Sequence, residues 1–466
     1  MTTVQMRPAP AEPRAAQPRS RDRGLRIGAT TALAAALALV TWWWATGGGV
    51  GDLTGWESGL TSVGRLTGLL ASVLLLVQVI LMARIPLLEG AFGQDRLTHL
   101  HRLVGFTSFN AMITHIGLII WGYAAGDLAR VPGETWDLTV GYPGMLLATG
   151  GTVCLVMVVV TSIRAARARL RYESWHLMHI YAYLGVGLAL PHQLWTGQEF
   201  LASTARTVFW WTLWAAAAGS VLVWRVALPL WRSARHDLRV TSVVPEGDGC
   251  VSVYLTGRDL DALQARAGQF FTWRFLAGTG WTRGHPYSLS AAPDGQSLRI
   301  TVKDLGDGSA AVRGVRPGTR VLVEGPFGRL SERVRTLGKV ALIGAGVGVT
   351  PLRALAEELE QQEPGDVVLL HRFTDHPLFA RELDALARER GLTVVALPGR
   401  RRAADSWLGD GVGPVDDLTA LRARVPDIAD RDVYVCGPEA WTDLVNRTLV
   451  AAGVPADHIH TETFGW

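Results

Sequence analysis

Two apolar segments of the sequence each carry a histidine at both ends. His101 and His115 are fourteen residues apart, and His179 and His192 are thirteen residues apart. Fourteen residues are nearly four turns of an α-helix, so the imidazoles of the first segment would point within about 40° of each other, roughly 21 Å apart. That distance is most of the hydrocarbon thickness of a bilayer, about 30 Å. Two such helices could hold two stacked metal centres.

The segments that would position these histidines belong to an apolar first half of the chain. With 466 residues, the chain is long enough for two or three domains. Residues 1–24, rich in Pro, Ala and Arg, are expected to form a disordered cytoplasmic tail. Six apolar segments of near-spanning length follow and predict membrane-spanning helices. They lie at about 25–46, 59–83, 98–124, 142–163, 174–195 and 207–231.

Arginines are concentrated in alternate loops between these segments. The N-terminal tail, residues 164–171 and the residues after the last segment are rich in arginine, whereas residues 47–58, 125–141 and 196–206 contain at most one each. Positively charged loops of membrane proteins remain in the cytoplasm. We therefore predict a multi-pass protein of the plasma membrane with both termini in the cytoplasm, which agrees with six spans.

With this orientation the third and fifth spans run outward, and the histidines form two sites. His101 and His179 would make an inner site, and His115 and His192 an outer one. Neutral imidazoles need no counter-charge in a low-dielectric bundle, so bis-histidine ligation of two non-covalent haems suits the sites best, whereas zinc would need four ligands per site. For any one histidine, an interhelical hydrogen bond is the alternative. Because His179 and His192 are thirteen and not fourteen residues apart, the side chain of His192 points about 100° away from the direction that a spacing of fourteen would give it. A kink at Pro191 could correct this difference.

Arg65, His99 and His176 are further candidate residues in or near the predicted spans. Arg65 is inside the second span, near the depth of the outer site. It could snorkel to the membrane interface, neutralise a haem propionate or steer an anionic acceptor. His99 and His176 lie closer to the starts of their helices, and we interpret both as interfacial.

Cysteine and charge content exclude several classes of protein. Cys154, Cys250 and Cys436 lie far apart with no CxxC, which excludes an iron–sulfur cluster on the chain, a zinc ribbon and covalent CxxCH haem attachment. The net charge is only +4, and the arginines cluster at the ends of apolar runs. This pattern is typical of membrane orientation signals. The expected partner is the lipid bilayer, not nucleic acid.

The second half of the chain has the pattern of a soluble protein. Short alternating apolar runs separated by Gly- and Pro-rich turns over residues 238–330 predict a small antiparallel β-barrel. Further strands at 366–371, 393–397 and 432–436, with helices between them, predict a doubly wound parallel sheet. The expected fold is therefore multi-domain. It comprises an α-helical six-span membrane bundle, an antiparallel β-barrel and a doubly wound α/β domain, at residues 25–235, 236–335 and 336–466.

A glycine-rich turn opens the α/β domain. The sequence VALIGAGVGVTPLRALAEEL, from Val340, predicts a strand, a turn and a helix. Gly344, Gly346 and Gly348 would let a pyrophosphate approach the backbone amides at the helix N-terminus. Their spacing is GxGxG, not the Rossmann GxGxxG, so the motif alone is weak.

In this order, the features resemble the ferric reductase and NADPH oxidase superfamily, in which a six-span cytochrome b domain is joined to a ferredoxin–NADP reductase-like module. The resemblance covers residues 25–466 and includes the flavin motif HPFT, present here as His285-Pro286-Tyr287-Ser288. It implies FAD, two haem b groups and NADPH as cofactors, with NADH possible.

The resemblance also implies roles for residues of the β-barrel domain. Tyr287 would lie against the isoalloxazine ring of FAD and Ser288 near its N5 atom. His285 and Lys303, together with the turn from Gly306 to Ser309, would hold the FAD pyrophosphate.

In the α/β domain the resemblance assigns the turn from Gly344 to Thr350 to the nicotinamide dinucleotide. Cys436, followed by Gly437 and Pro438, would lie near the hydride path. Arg372, with Arg400 or Arg401, stands where family members contact the ribose 2′-phosphate, which favours NADPH, and a solvated arginine run is the alternative. At the carboxyl terminus Phe464 or Trp466 would stack on the flavin.

The expected activity is transfer of electrons from cytoplasmic NADPH through FAD, the inner haem and the outer haem to an acceptor outside. That acceptor could be a small molecule, a ferric chelate or dioxygen. Alternatively, the protein is an electron-transfer subunit that serves a separate exported protein or a quinone. A third hypothesis is a haem-free transporter or receptor that uses the histidines as a proton relay.

Overall fold

The computed structural model describes residues 17–163, 172–197, 199–277 and 283–464. The chain forms two compact units. One is Leu25–Leu228, and the other combines Pro229–Trp466 with the N-terminal residues up to Gly24. The arginine-rich loop 164–171 and Trp466, on which parts of the orientation and flavin-stacking predictions rest, lie outside the described residues.

The first unit is helical, as its long apolar segments predict. The last of its helices continues through a π-helical segment, Val221–Ala227, into a further helix. The helices from Gln17 to His236 are α1 (Gln17–Trp44), α2 (Trp56–Leu81), α3 (Pro86–Phe92), α4 (Gln94–Tyr123), α5 (Val131–Gly141), α6 (Met145–Ser162), α7 (Tyr172–Trp195), α8 (Thr204–Ser220) and α9 (Leu228–His236). The part of α1 before Leu25 and the part of α9 after Leu228 belong to the second unit.

Five of the six predicted spans coincide with helical segments that are long and apolar enough to cross a bilayer. Among the described residues these are Arg21–Gly49, Trp56–Leu81, Gln94–Tyr123, Met145–Ser162 and Thr204–His236. The remaining predicted span is present as helix α7, of 24 residues. It is less apolar than the others because histidines and a glutamine interrupt its sequence. A membrane crossing by α7 stays a prediction.

Part of the tail that was expected to be disordered is helical. Helix α1 starts at Gln17, eight residues before the apolar run that begins at Leu25. Asp22 in this first part of the helix is buried. Its carboxylate lies 3.0 Å from the guanidinium of Arg329 and 3.9 Å from that of Arg333. Asp22 and Arg329 are 307 positions apart in sequence, so the composition of the tail alone could not reveal this ion pair.

Small residues allow the helices of the first unit to approach closely. Helix α2 packs along α4, and α6 packs along α7. A Cβ atom on Gly122 of α4 would lie 2.5 Å from the side chain of Thr61 on α2, and one on Gly151 of α6 would lie 2.6 Å from the carbonyl oxygen of Gly185 on α7. Close backbone contact of this kind is the usual basis of helix association in membranes.

The first part of the second unit contains six antiparallel strands in two three-stranded sheets. The strand orders are β1-β2-β5 and β4-β3-β6. Single bridges, Arg239↔Arg320 and Leu289↔Ile300, link the edges of the two sheets, so the predicted barrel is found only as two sheets joined at narrow seams. The strands are β1 (Arg239–Gly247), β2 (Cys250–Thr256), β3 (Phe270–Phe275), β4 (His285–Ser288), β5 (Ser297–Lys303) and β6 (Val321–Phe327), and a short helix, α10 (Asp307–Val312), precedes β6.

The rest of the unit is the predicted doubly wound α/β domain. Its five parallel strands have the order β11-β10-β7-β8-β9, and apolar cores lie on both faces of the sheet. The first strand, β7, is flanked by β8 and β10, which makes the crevice at their carboxyl ends the expected ligand site. The elements are β7 (Val340–Ala345), α11 (Val349–Glu358), β8 (Val367–Phe373), α12 (Ala380–Arg390), β9 (Thr393–Pro398), α13 (Asp417–Arg424), β10 (Asp432–Gly437), α14 (Glu439–Ala451) and β11 (Ile459–Thr463).

Candidate functional sites

The structure brings His101 of α4 and His179 of α7 together. Their ring centroids are 6.0 Å apart and their planes are inclined by 61°. Two imidazoles that each place a nitrogen about 2 Å from one shared metal have ring centroids about 6 Å apart. The observed separation therefore agrees with the centroid distance of two imidazoles on opposite sides of one metal.

Both histidines of α4 face backbone carbonyl groups of α2. His115 Nδ1 donates to the carbonyl oxygen of Gly64 at 2.7 Å, and His101 Nδ1 lies 3.4 Å from that of Gln78. An imidazole that donates through Nδ1 presents the lone pair of Nε2 to a metal. Gly68 makes room for this arrangement, because a Cβ atom there would lie 2.6 Å from Nδ1 of His115.

His192 is half-buried, and its Nδ1 atom is buried without a hydrogen-bond partner within the described part of the chain. A buried polar atom without a partner costs about 1–3 kcal/mol, so a bound group that contacts this imidazole would remove a penalty. Helix α7 continues through Pro191 to Trp195, so the proline does not end the helix that carries His192.

Arg65 forms an ion pair with Asp52, which lies on the turn Gly51–Thr54 before α2. Both side chains are about a third or more exposed. The pair offsets the charge of Arg65 and favours the interfacial alternative over the haem-propionate role. His99 is exposed, as expected for an interfacial residue, and the side chain of His176 is outside the described atoms.

The flavin motif lies on β4, an edge strand. Pro286 is exposed there, where its missing N–H leaves no ladder bond unmade. Tyr287 is buried, and its ring stacks with that of His285 at 5.9 Å between centroids. Burial raises the pKa of the Tyr287 phenol. The buried Ser288 hydroxyl has no hydrogen-bond partner among the residues described, which is the condition expected of a group that contacts a cofactor.

The turn after β5 lies beside this motif. A Cβ atom on Gly308 would lie 2.7 Å from Cε1 of His285. The hydroxyl of Ser309 accepts from the backbone N–H of Leu305 at 2.8 Å and donates to the carbonyl of Gly306 at 2.9 Å. Ser309 therefore shapes the turn, and the structure joins the turn to His285, as the resemblance implies.

The glycine-rich turn between β7 and α11 packs against the end of β10. A Cβ atom on Gly348 would lie 2.3 Å from the carbonyl oxygen of Cys436, and one on Gly344 would lie 2.9 Å from the side chain of Leu352. Gly346 has a φ of +54°, and no atom comes within 4 Å of the position of its missing Cβ. The hydroxyl of Thr350 donates to the carbonyl of Val347 at 2.5 Å. The first and last glycines thus serve packing, and Gly346 is open to a ligand.

A small open cleft lies between this turn and the two-sheet domain. Its lining includes Gly346, His371 and Arg372 from the α/β domain and Lys303 from β5. Lys303 lies 3.5 Å from the carboxylate of Asp248. The structure therefore groups Lys303 with the dinucleotide turn, although the resemblance assigns it to the FAD pyrophosphate.

His371 is a site residue that the sequence reasoning missed. It is 1% exposed, and in the described structure neither ring nitrogen has a hydrogen-bond partner. Burial lowers its pKa to about 4, so the ring is neutral at physiological pH. Its position at the carboxyl end of the second strand of the sheet was the available signal, because ligands bind at that edge.

Arg372 lies within β8 near its end, not after it. Its Nε atom has no hydrogen-bond partner within the described structure, and burial, followed by the charge of Arg401, lowers its pKa. Arg401 itself donates to the carbonyl oxygens of Ser406, at 3.0 Å, and Ala404. Arg400 is exposed. The charge of Arg401 thus acts on Arg372, and Arg401 is exposed like Arg400.

Cys436 is fully buried in β10, opposite Gly344 and Glu462 in the neighbouring strands. Burial raises the pKa of its thiol well above the usual range, so the side chain is a packing group. Gly437 accepts a hydrogen bond from the backbone N–H of Phe464 at 3.1 Å. This bond ties the carboxyl-terminal aromatic residue to the strand end before Pro438.

Two family models match the chain. Residues 67–190 match the ferric reductase like transmembrane component, and residues 342–447 match the oxidoreductase NAD-binding domain. The first range includes three of the four paired histidines, and the second includes the glycine-rich turn and the Cys436-Gly437-Pro438 sequence.

Curated relatives match the second half of the chain. A flavohemoprotein of Chromobacterium violaceum is 32% identical over 253 residues, which are 50% of this chain and 61% of the relative. The ferredoxin reductase component of a 3-ketosteroid-9-alpha-monooxygenase of Mycolicibacterium smegmatis is 31% identical over 242 residues, 49% of this chain and 65% of the relative. The chain therefore spans less than two thirds of the length of these relatives.

Solved structures are also similar. The flavohem-like FAD/NAD binding domain of nitric oxide dioxygenase from Vibrio cholerae has 27% identity and a TM-score of 0.40, covering 50% of this chain and all of that one. A flavohemoglobin from Malassezia yamatoensis has 17% identity and a TM-score of 0.43, covering 90% and 98%.

The two family matches occur in a defined order on one chain. The transmembrane match coincides with the helical unit that carries the histidine pairs, and the NAD-binding match coincides with the doubly wound sheet. The two-sheet domain with its flavin motif lies between them. The two matches support a fusion of a ferric reductase like transmembrane component with an oxidoreductase NAD-binding domain on one chain.

Proposed function

We propose that the protein carries electrons across the plasma membrane, from cytoplasmic NADPH through FAD and two b-type haems to an acceptor on the outer side. The observation that carries this proposal is the approach of His101 and His179, whose ring centroids are 6.0 Å apart on separate helices. With α7 as the sixth span, the second histidine of each helix provides an outer site.

The surroundings of the histidines support haem at both sites. The carbonyl groups of Gly64 and Gln78 hold Nδ1 of the two α4 histidines, which leaves Nε2 as the ligating atom. The unpartnered Nδ1 of His192 supports the proposal at the outer site, since a bound group could satisfy this atom. In this proposal α2 orients the ligands and supplies no ligand itself.

The two-sheet domain supports FAD as the first acceptor. Tyr287 would provide the apolar surface for the isoalloxazine ring, and the buried hydroxyl of Ser288 would hydrogen-bond to it. When bound, FAD accepts a hydride and releases electrons singly, as haem iron requires. Phe464, which packs on the core of the α/β domain, would cover the opposite face.

The cleft beside the glycine-rich turn supports NADPH as the electron donor. Gly346 would admit the pyrophosphate to the backbone, and Arg372 would bind the 2′-phosphate. His371 is neutral and buried, so it would serve as a hydrogen-bonding group and not as an acid. NADH remains the alternative donor.

The proposed acceptor is a ferric chelate or dioxygen. The ion pair of Arg65 with Asp52 removes the main support for capture of an anionic chelate at that arginine. The alternative acceptors are a separate exported protein and a quinone. Superoxide and ferrous-iron assays on the purified protein separate these cases, since the alternatives yield neither product without the partner.

An anaerobic absorbance spectrum tests the proposal as a whole. NADPH added to the purified protein should bleach the flavin and produce the Soret and α-bands of a reduced b-type haem, with two haems per chain. A preparation that contains no haem, although it is folded and binds FAD, would contradict the proposal and leave the proton-relay hypothesis. A matched His101→Ala variant should retain flavin bleaching and lose the inner haem.

A further inference from the structure

Two arginines meet one glutamate where the two-sheet domain contacts the α/β domain. Arg299 of β5 donates through Nη1 and Nη2 to the two carboxylate oxygens of Glu382 of α12, each at 2.9 Å. Arg353 of α11 lies 2.8 Å from the same carboxylate. Arg299 is 5% exposed and Arg353 is 7% exposed. We call these three residues the interdomain cluster.

The remaining donors of the interdomain cluster converge on the backbone that follows the flavin motif. Arg299 Nη2 donates to the carbonyl oxygen of Ser290 at 2.6 Å, and its Nε donates to the Ser290 hydroxyl at 3.1 Å. Arg353 Nη1 donates to the same carbonyl at 3.2 Å. Ser290 is two residues after Ser288, so the cluster is attached directly to the strand end that would hold the flavin.

Two glutamates of α11 accept hydrogen bonds from the backbone of the two-sheet domain. Glu357, which also pairs with Arg353, accepts from the backbone N–H of Ala292 at 2.7 Å. Glu358 accepts from the backbone N–H of Ala267 at 2.6 Å. The two domains are thus joined by hydrogen bonds from each side, and a rotation of one against the other would break several of them together.

The charges make the arrangement specific. Although burial acts to raise it, the hydrogen bonds and charges of Arg299 and Arg353 hold the pKa of Glu382 below its usual value. Buried ion pairs add little net stability, but breaking one by removing a partner leaves an uncompensated charge. A bidentate contact between an arginine and a carboxylate also requires one relative orientation of the two planar groups. The cluster therefore tolerates one domain orientation and penalises others.

We propose that Arg299, Arg353 and Glu382 are positioning residues for hydride transfer, because they fix the dinucleotide-binding turn against the flavin motif. Helix α11 begins immediately after Gly348, and α12 follows the strand that carries Arg372. A shift of these helices would move the hydride donor relative to the flavin. A displacement of about 1 Å can slow a positioned reaction about 100-fold. The inference rests on the proposed function.

Stopped-flow reduction of the full-length, FAD-loaded protein by saturating NADPH tests the inference. Glu382→Gln keeps the shape but removes the carboxylate charge that Arg299 and Arg353 share, so that Arg353 keeps only its ion pair with Glu357. The flavin reduction rate should fall about 10- to 100-fold, while the NADPH concentration for half-maximal rate changes less than about threefold. Reduction by dithionite, which needs no docked dinucleotide, should proceed at the wild-type rate. Glu382→Asp keeps the charge and should restore part of the lost rate.

Lys339→Gln is the matched control, because Lys339 forms an exposed ion pair with Asp427 at 2.8 Å in the same domain. Its flavin reduction rate should equal that of wild type. Arg299→Lys, which keeps the charge but not the paired contacts, is the second variant if Glu382→Gln loses FAD, and a loss of about three- to tenfold is expected.

Three outcomes would contradict either the proposed function or the positioning role. Wild-type flavin that NADPH cannot reduce would overturn the proposed function itself. Wild-type rates with NADPH in both Glu382→Gln and Arg299→Lys would overturn only the positioning role. An equal loss of rate with NADPH and dithionite would also overturn it, because a disturbed flavin site and not the domain orientation would then be the cause.

Discussion

The helical unit and the reductase module hold their chemical groups in different ways. In the helical unit four histidine side chains would be the ligands, and the backbone of a neighbouring helix orients them, as Gly64 does for His115. In the module the turn around Gly346 would contact the ligand through the backbone. Side chains behind the site, such as Arg299 and Glu382, hold that backbone in place. Substitutions in the first unit should therefore remove a redox centre, whereas those in the second should change rates and affinities by degrees.

The largest effect is expected from His115→Ala. Loss of one of the two ligands should abolish the outer haem and reduce haem content to about half of the wild-type value. Flavin reduction by NADPH should be unchanged, because the module has its own cofactor sites. Haem content and an anaerobic NADPH titration measure the two quantities. His99→Ala, at an exposed histidine of the same helix, is the control, and loss of flavin binding in His115→Ala would contradict the separation of the two regions.

Gly68→Ala tests whether α2 orients His115 through its backbone. The added methyl group would lie 2.6 Å from Nδ1 of His115, so the imidazole must turn away from the Gly64 carbonyl. Loss of such an orienting contact typically lowers metal affinity about 10- to 100-fold. Haem retention during dialysis against apomyoglobin, and the electron paramagnetic resonance signal of the outer haem, report this effect.

The control for that experiment is Gly117→Ala on α4, where a Cβ atom would meet nothing within 4 Å. It adds the same methyl group to a helix two residues from His115. Equal haem retention in the two variants would show that the contact between α2 and His115 has no orienting role.

The features of the site that could be predicted are those whose residues lie on the same helix or within the same short stretch of sequence. The histidines lie on two helices, and their distances along each helix follow from the helical rise. Gly344, Gly346 and Gly348 lie within one turn, so the sequence window contains the whole motif. The order of strands and helices in the α/β domain likewise follows from short local patterns.

Interactions between distant segments could not be predicted in this way. Arg299 and Glu382 are 83 positions apart, and Asp22 is paired with Arg329 across 307 positions. Nothing local distinguishes these charges from solvated ones. The burial of Cys436 also depends on both neighbouring strands, so it could not be predicted from the sequence around the cysteine.

Arg372→Ala should narrow the preference for NADPH over NADH about tenfold, because one charge-assisted hydrogen bond to the 2′-phosphate is worth about 1.5–3 kcal/mol. Arg400→Ala should change the preference less, since Arg401 is the arginine whose charge acts on Arg372. The ratio of kcat/KM for the two dinucleotides measures the effect. An unchanged ratio in Arg372→Ala would place the phosphate elsewhere.

The smallest effect concerns the acid stability of the module. Burial lowers the pKa of His371 to about 4, against about 6.5 for an unfolded histidine. The unfolded chain then binds a proton that the folded chain does not, so stability that is present above pH 6.5 is lost as the pH falls toward 4. Between pH 7.5 and 5.5 the free energy of unfolding should drop by about 1 kcal/mol from this residue. His371→Asn, which does not titrate, should lose less stability over the same range in urea unfolding, and equal losses in the two proteins would mean that His371 is not buried as a neutral group.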